Sequence, residues 1–213
     1  FKTGLATTVN FRIGDKEWVN ETKQTMLGRL ALQKLLRQMV RSGCRYAVVE
    51  TSSEGILQYR QRFIDYRVAV FTNLSPEHIE RHGGFENYRA AKVKLFEQVS
   101  RRKDGVGVYN LDDGNVGYFL RPSIHTQYGY TLKSPNTGRF PHGNPHTKFG
   151  VGVKRLKVDK VVLGANGAKF NLNGEKYETS LIGEFNVYNA AAAITVALAE
   201  KISAEKIRQA LAS

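Results

Sequence analysis

The chain has 213 residues, 41% of them hydrophobic and 24% charged, which excludes a disordered or fibrous protein and suits one domain or two intimate lobes. No apolar run approaches the roughly 20 residues that a membrane helix needs, and the N-terminal FKTGLATTVNF lacks the apolar stretch of a secretory signal. Basic residues outnumber acidic ones 32 to 19, a formal charge of +13, but they are spread thinly and no aromatic-rich nucleic-acid motif accompanies them, so they read as a solvated basic surface.

In chain order, TTVNFRIGDKEWVN alternates apolar and polar residues and turns at Gly14-Asp15, the pattern of a hairpin. Leu27, Leu30, Ala31, Leu35, Met39 and Val40 define a helical face that Gly43 would cap. Cys44 follows; one thiol forms no internal disulfide, in keeping with a reducing compartment. Apolar strands are predicted at 46–50, 68–71 and 105–109, with an amphipathic helix over 85–102 before the third. Short apolar strands between helices imply a mostly parallel sheet covered on both faces, an α/β fold. Residues 122–149, rich in Gly, Pro, Asn, His and Thr, have no clear period. Strands at 158–163, 169–172 and 177–181, with turns at 164–167 and Asn173-Gly174, imply a small antiparallel patch, so that 122–182 forms a β-rich appendage. Helices over 187–200 and 204–212 complete the pattern, the last capped by Ser203.

In open α/β sheets, ligands gather at the carboxyl ends of the strands. Glu50 closes one predicted strand, and His78 follows the end of the next. Were these strands neighbours, the two could hold a divalent metal, although spacing alone favours an acid and a histidine with no shared role. Lys92 shares a helical stripe with Tyr88, Leu95 and Phe96. Burial there would depress its pKa and leave a neutral amine able to react with carbon dioxide, whereas snorkelling would keep its head in water. Position leaves both readings open. Asn186 and Asn189, three apart at a helix start, could read a base edge; Asn186 could equally cap the helix. Asp112-Asp113-Gly114 reads as a routine turn.

Taken in order, the segments ETSSEGILQYR (50–60), FTNLSPEH (71–78), HGGFENYRAAK (82–92), NLDD (110–113) and GEFNVYN (183–189) resemble the central domain of the Mur ligases, most closely the UDP-N-acetylmuramoyl-tripeptide synthetases. The resemblance implies a P-loop-NTPase-like sheet over residues 1–213. It further implies a cytoplasmic, monomeric, ATP-dependent ligase that joins an amino acid to a UDP-N-acetylmuramoyl peptide through an acyl phosphate. Such an enzyme serves peptidoglycan synthesis, and so cell-wall biogenesis, shape and division, with no nucleic-acid or membrane partner.

By the same resemblance, Glu50 and His78 hold Mg2+, and Lys92, carbamylated, binds a second metal. Ser52, Gln58, Arg60 and Thr25 contact the muramoyl peptide, and Asn186 and Asn189 lie near the adenine of ATP. KQTM around Thr25 lacks the family's tandem threonine and proline, and Glu54 stands where many members carry histidine. No Gly-Lys-Ser/Thr phosphate loop occurs in the chain. That loop is expected before Phe1 and a C-terminal domain after Ser213, so the chain by itself is expected not to catalyse ligation. Folylpolyglutamate and cyanophycin synthetases are the related alternatives, and an inactive Mur-like binding domain is the alternative of a different class.

Overall fold

The computed structural model describes residues 1–76, 79–133 and 152–212. They form two compact units, one based on Phe1–Asp65 and the other on Phe96–Ser213 with the strand around residue 70. No helix among the described residues is long and apolar enough to cross a membrane.

The first unit contains β1 (Thr3–Ala6), β2 (Asn10–Ile13), β3 (Lys16–Val19), α1 (Arg29–Arg41), β4 (Tyr46–Val49), α2 (Ser53–Leu57), α3 (Ile79–His82) and the first turns of α4 (Phe85–Ser100). Its sheet runs β3-β2-β1-β4. The β2–β3 hairpin turns at Gly14, whose φ of +60° suits a residue without a Cβ. β1 and β4 are parallel, with Thr3 opposite Tyr46 and Ala6 opposite Val49.

The helical face expected for α1 holds at Leu35 and Met39 and is corrected at its margins. Leu32, Leu35 and Met39 are buried, while Leu30 and Val40 are 88% and 69% exposed. Leu35 and Met39, with the partly buried Leu27 and Leu36, pack on Ala6 and Phe11. Gly4 of β1 makes room for them, since a Cβ there would lie 2.3 Å from Met39 Sδ. Gly43 ends the helix as expected, with a φ of +75° and its N–H donating to Val40 O at 2.9 Å. The expected cover on both faces fails at β4, where Ala47 and Val48 are exposed. Among the described residues β4 pairs only with β1 and is an end strand.

The second unit contains β5 (Val68–Phe71), the end of α4, β6 (Val106–Asn110), α5 (Val116–Leu120), β7 (Thr126–Thr131), β8 (Val153–Gly164), β9 (Gly167–Leu172), β10 (Glu175–Thr179), α6 (Glu184–Ala199) and α7 (Ala204–Ala212). Its six strands run β10-β9-β8-β7-β6-β5. The pairs from β5 to β8 are parallel and those from β8 to β10 antiparallel. β8 therefore belongs to both parts, and a bulge with Lys160 at φ +52° bends it between them.

All five residues of β6 are buried. Val106 and Val108 join Val187, Ala191 and Ile194 of α6, whose alanines permit close approach, and Tyr109 meets Phe96 of α4 at a ring distance of 5.5 Å. Cover on both faces thus holds for this strand. Burial raises the Tyr109 hydroxyl to about 12, against the opposing effect of its hydrogen bond with Gln127. The unfolded tyrosine ionises near 10, so stability is expected to be level below pH 10 and to fall as pH rises through about 12. Thermal melts from pH 8 to about 11.5 should show this fall, reduced in Tyr109→Phe; an equal fall in both proteins would remove Tyr109 as a cause.

Candidate active site

In the first unit four of the predicted residues, Glu50, Ser52, Gln58 and Arg60, follow β4 in the chain. Glu50 follows the strand, and its Oε2 accepts from the Thr8 N–H at 2.8 Å and the Thr8 hydroxyl at 2.9 Å. The acid is thereby oriented by the residues that follow β1, a tie the local sequence pattern did not reveal. Ser52 is the N-cap of α2, its Oγ accepting from Gly55 N–H at 3.1 Å. Glu54 pairs with Arg81 of α3 at 2.9 Å.

Ser53 and His82 were not predicted as a pair. Both are buried, with Ser53 Oγ 3.1 Å from His82 Nε2, while His82 Nδ1 is buried without a hydrogen-bond partner among the described residues. The edge of the imidazole also meets the Tyr88 ring, centroids 5.2 Å apart. Ser53→Ala would leave both ring nitrogens unpaired, and the expected loss is about 1–3 kcal/mol. Urea unfolding checks it; a loss within about 0.5 kcal/mol, the range of a neutral surface change, would contradict it.

Three of the residues assigned to substrate binding are brought together. Arg60 Nε donates to Gln58 Oε1 at 2.9 Å, and its NH1 donates to Gln24 Oε1 at 2.9 Å and to the Met26 carbonyl. The guanidinium is therefore fixed against the 24–26 loop that carries the half-buried Thr25. Arginine held in this way offers a planar, permanently charged donor set for carboxylate or phosphate.

Lys92 is half-buried and its neighbour Lys94 exposed. The Lys92 Nζ lies 5.1 Å from the Tyr88 ring centroid, a cation–π distance. Tyr88 and Phe96 of its predicted stripe are buried. His78, the expected partner of Glu50, lies outside the described residues. Among the described residues, no three His, Cys, Asp or Glu side chains are grouped to hold a metal ion. Glu50 itself fits magnesium chemically, as an oxygen donor at a strand end already oriented by two hydrogen bonds.

In the second unit, α6 opens at Gly183, whose φ of +97° favours glycine, with no side-chain cap. Asn186 is therefore not the N-cap. Its Nδ2 donates to Ile182 O at 2.9 Å, and Asn189 Nδ2 donates to Asn186 Oδ1 at 3.2 Å, so the two amides form a connected pair.

The segment NLDD is more than a turn. Asn110 Nδ2 donates to Thr72 O at 2.8 Å. Asp113 accepts from the N–H groups of Leu74 and Asn115 at 2.8 and 2.7 Å. Asp112 accepts from Leu132 N–H at 2.7 Å and from the hydroxyls of Thr131 and Tyr188 at 2.5 and 2.9 Å. These bonds tie the carboxyl ends of β5, β6 and β7 to one another and to α6, on the edge where ligands of such sheets gather.

The family profile of the Mur ligase middle domain matches residues 1–197. A diaminopimelate-adding UDP-N-acetylmuramoyl-L-alanyl-D-glutamate ligase of Geobacillus kaustophilus is 34% identical over 99% of this chain and 41% of its own length. A UDP-N-acetylmuramyl-tripeptide synthetase of Roseiflexus is 31% identical over 98% of the chain and 41% of its own. The chain thus spans about two fifths of the length of these relatives. The solved structure of a diaminopimelate ligase of the same description superposes with a TM-score of 0.78 over 99% of this chain and 40% of that one, at 24% identity, a likeness of fold. With matched sequence, matched fold and the 50–60 and 183–189 segments in place, the chain belongs to the Mur ligase middle-domain family.

Proposed function

We propose that this chain is the ATP-handling part of an acid–amino-acid ligase that extends a UDP-N-acetylmuramoyl peptide in peptidoglycan synthesis. The observation that carries the reading is the fixed Arg60–Gln58–Gln24 cluster, built at the end of the 50–60 segment that Glu50 opens, in a chain whose relatives are named for adding diaminopimelate to such a peptide. In this reading the enzyme is cytoplasmic and monomeric, and serves cell-wall biogenesis, shape and division.

The chemistry divides among the residues as follows. Arg60, with Gln58, Ser52 and Thr25, holds the anionic muramoyl peptide, and the prior anchoring of Arg60 limits the entropy lost on binding. Asn186 and Asn189 face the adenine of ATP. A carboxylate oxygen of the peptide attacks the γ-phosphorus of ATP, ADP leaves, and the amine of the incoming amino acid displaces phosphate from the acyl carbon. Glu50, His78 and a carbamate on Lys92 would hold Mg2+, which neutralises charge on the transferring phosphoryl group. Solvation of the remaining basic surface needs no polyanion.

Measured on the ligase that carries this segment, ADP release should require the muramoyl dipeptide and the amino acid together. ADP release at the same rate without the peptide would reject the reading in favour of a nucleotide hydrolase.

A further inference from the structure

Two features of α6 raise the question of what fixes its first turns. Its N-cap, Gly183, offers no side-chain hydrogen bond. Its buried contacts through Val187, Ala190, Ala191 and Ile194 are apolar, and such contacts are non-directional and permit small rotations. Yet the Asn186–Asn189 pair lies in just these turns, and two amides can discriminate one base edge only if their donors and acceptors are held in place.

The directional contact comes from Tyr188, between the two asparagines in sequence. Its hydroxyl donates to Asp112 Oδ2 at 2.9 Å. Asp112 is itself immobilised: the same oxygen accepts from the N–H groups of Leu132 at 2.7 Å and Lys133 at 3.2 Å, and Oδ1 accepts from the Thr131 hydroxyl at 2.5 Å. A charged acceptor with several donors on strand ends is a rigid anchor, and bonds to it are stronger than those between neutral groups.

We propose that Asp112, acting through the Tyr188 hydroxyl, is the positioning residue that sets the Asn186–Asn189 pair for recognition of the nucleotide base. The proposal rests on the nucleotide reading given above. It assigns Asp112 no contact with ATP. Its consequence concerns base specificity: without the anchor, the amides lose register and adenine loses its advantage over a base with an altered polar edge.

The test is Tyr188→Phe in the ligase that carries this segment, which keeps the ring and removes only the hydroxyl. KM for ATP should rise roughly 10- to 100-fold, the scale of one hydrogen bond to a charged group. The kcat at saturating ATP and the KM for the muramoyl peptide should hold. The ratio of kcat/KM for ATP to that for ITP should fall by a similar factor, a change that a purely structural role would not produce. A lowered Tm with an unchanged ATP-to-ITP ratio overturns the proposal. Asn186→Ala separates the two readings: if it raises KM for ATP while Tyr188→Phe does not, the positioning role alone fails. If neither variant changes KM for ATP, the nucleotide reading fails and the proposal with it.

Discussion

Lys92→Arg is expected to lower ligation about 10³-fold in kcat, the scale of removing an electrostatic contributor from a phosphoryl-transfer site. The substitution separates the two readings that the position of Lys92 allows. Arginine keeps the positive charge and the stacking on Tyr88, from which the Lys92 Nζ is 5.1 Å. If the lysine were only a cation resting on that ring, arginine would serve nearly as well. Arginine does not lose its proton, however, and so cannot react as a free amine. Carbamylation needs a neutral Nζ that attacks the carbon of CO2 and releases a proton, leaving an anion where a cation stood. Initial rates of ADP release, compared with the unmodified ligase, read the effect. Unfolding free energy should change by less than about 1 kcal/mol, as for a substitution outside the core. Retention of full activity in Lys92→Arg would assign the residue to surface packing.

The largest effect on stability is expected at Phe119→Ala, a loss of about 3–5 kcal/mol. Phe119 is 1% exposed. Its ring stacks on Phe71 of β5 with centroids 3.9 Å apart and meets the edge of Phe96 on α4 at 5.2 Å. A short helix, a strand end and a long helix therefore share one aromatic cluster beside Tyr109 of β6. Truncation removes ring contacts on both sides at once and leaves a cavity that three anchored elements cannot collapse to fill. Phe119→Leu should lose less, because it refills part of that volume. Denaturant unfolding followed by circular dichroism checks both; equal losses for Ala and Leu would show that packing volume is not what Phe119 supplies.

Much of the fold was legible because its strongest elements have a single compatible period. The hairpin around Gly14 and the strand Val68–Phe71 were predictable in this way, and α4 and β6 to within two residues. The face of α1 was legible only in part, because its apolar residues populate overlapping stripes: Leu35 and Met39 are buried as expected, whereas Leu30 and Val40 are exposed and Leu32 is buried. β7 escaped notice. TQYGYT is half polar, and its Gly129 hides the alternation while leaving room for Leu111.

The site divides along similar lines. Glu50, Lys92 and the asparagine pair were singled out as candidates through ordered motifs. Their supports were invisible, being set by contacts distant in sequence. Thr8 lies 42 residues from Glu50, Gln24 lies 36 from Arg60, and Asp112 lies 76 from Tyr188. Asp112 and Asp113 looked like turn residues because Asp before Gly is common in turns. The signal that distinguishes them is two adjacent acids directly after a wholly buried strand, where carboxylates meet the free N–H groups of neighbouring strand ends.

The most direct measurement labels both carboxylate oxygens of the acceptor muramoyl peptide with 18O and examines the phosphate released during ligation. If the carboxylate attacks the γ-phosphorus of ATP and the amine then displaces phosphate from the acyl carbon, each phosphate formed carries one labelled oxygen. Unlabelled phosphate, with the oxygen lost from the peptide recovered instead in AMP or in water, would contradict ligation through an acyl phosphate and the function proposed for this chain.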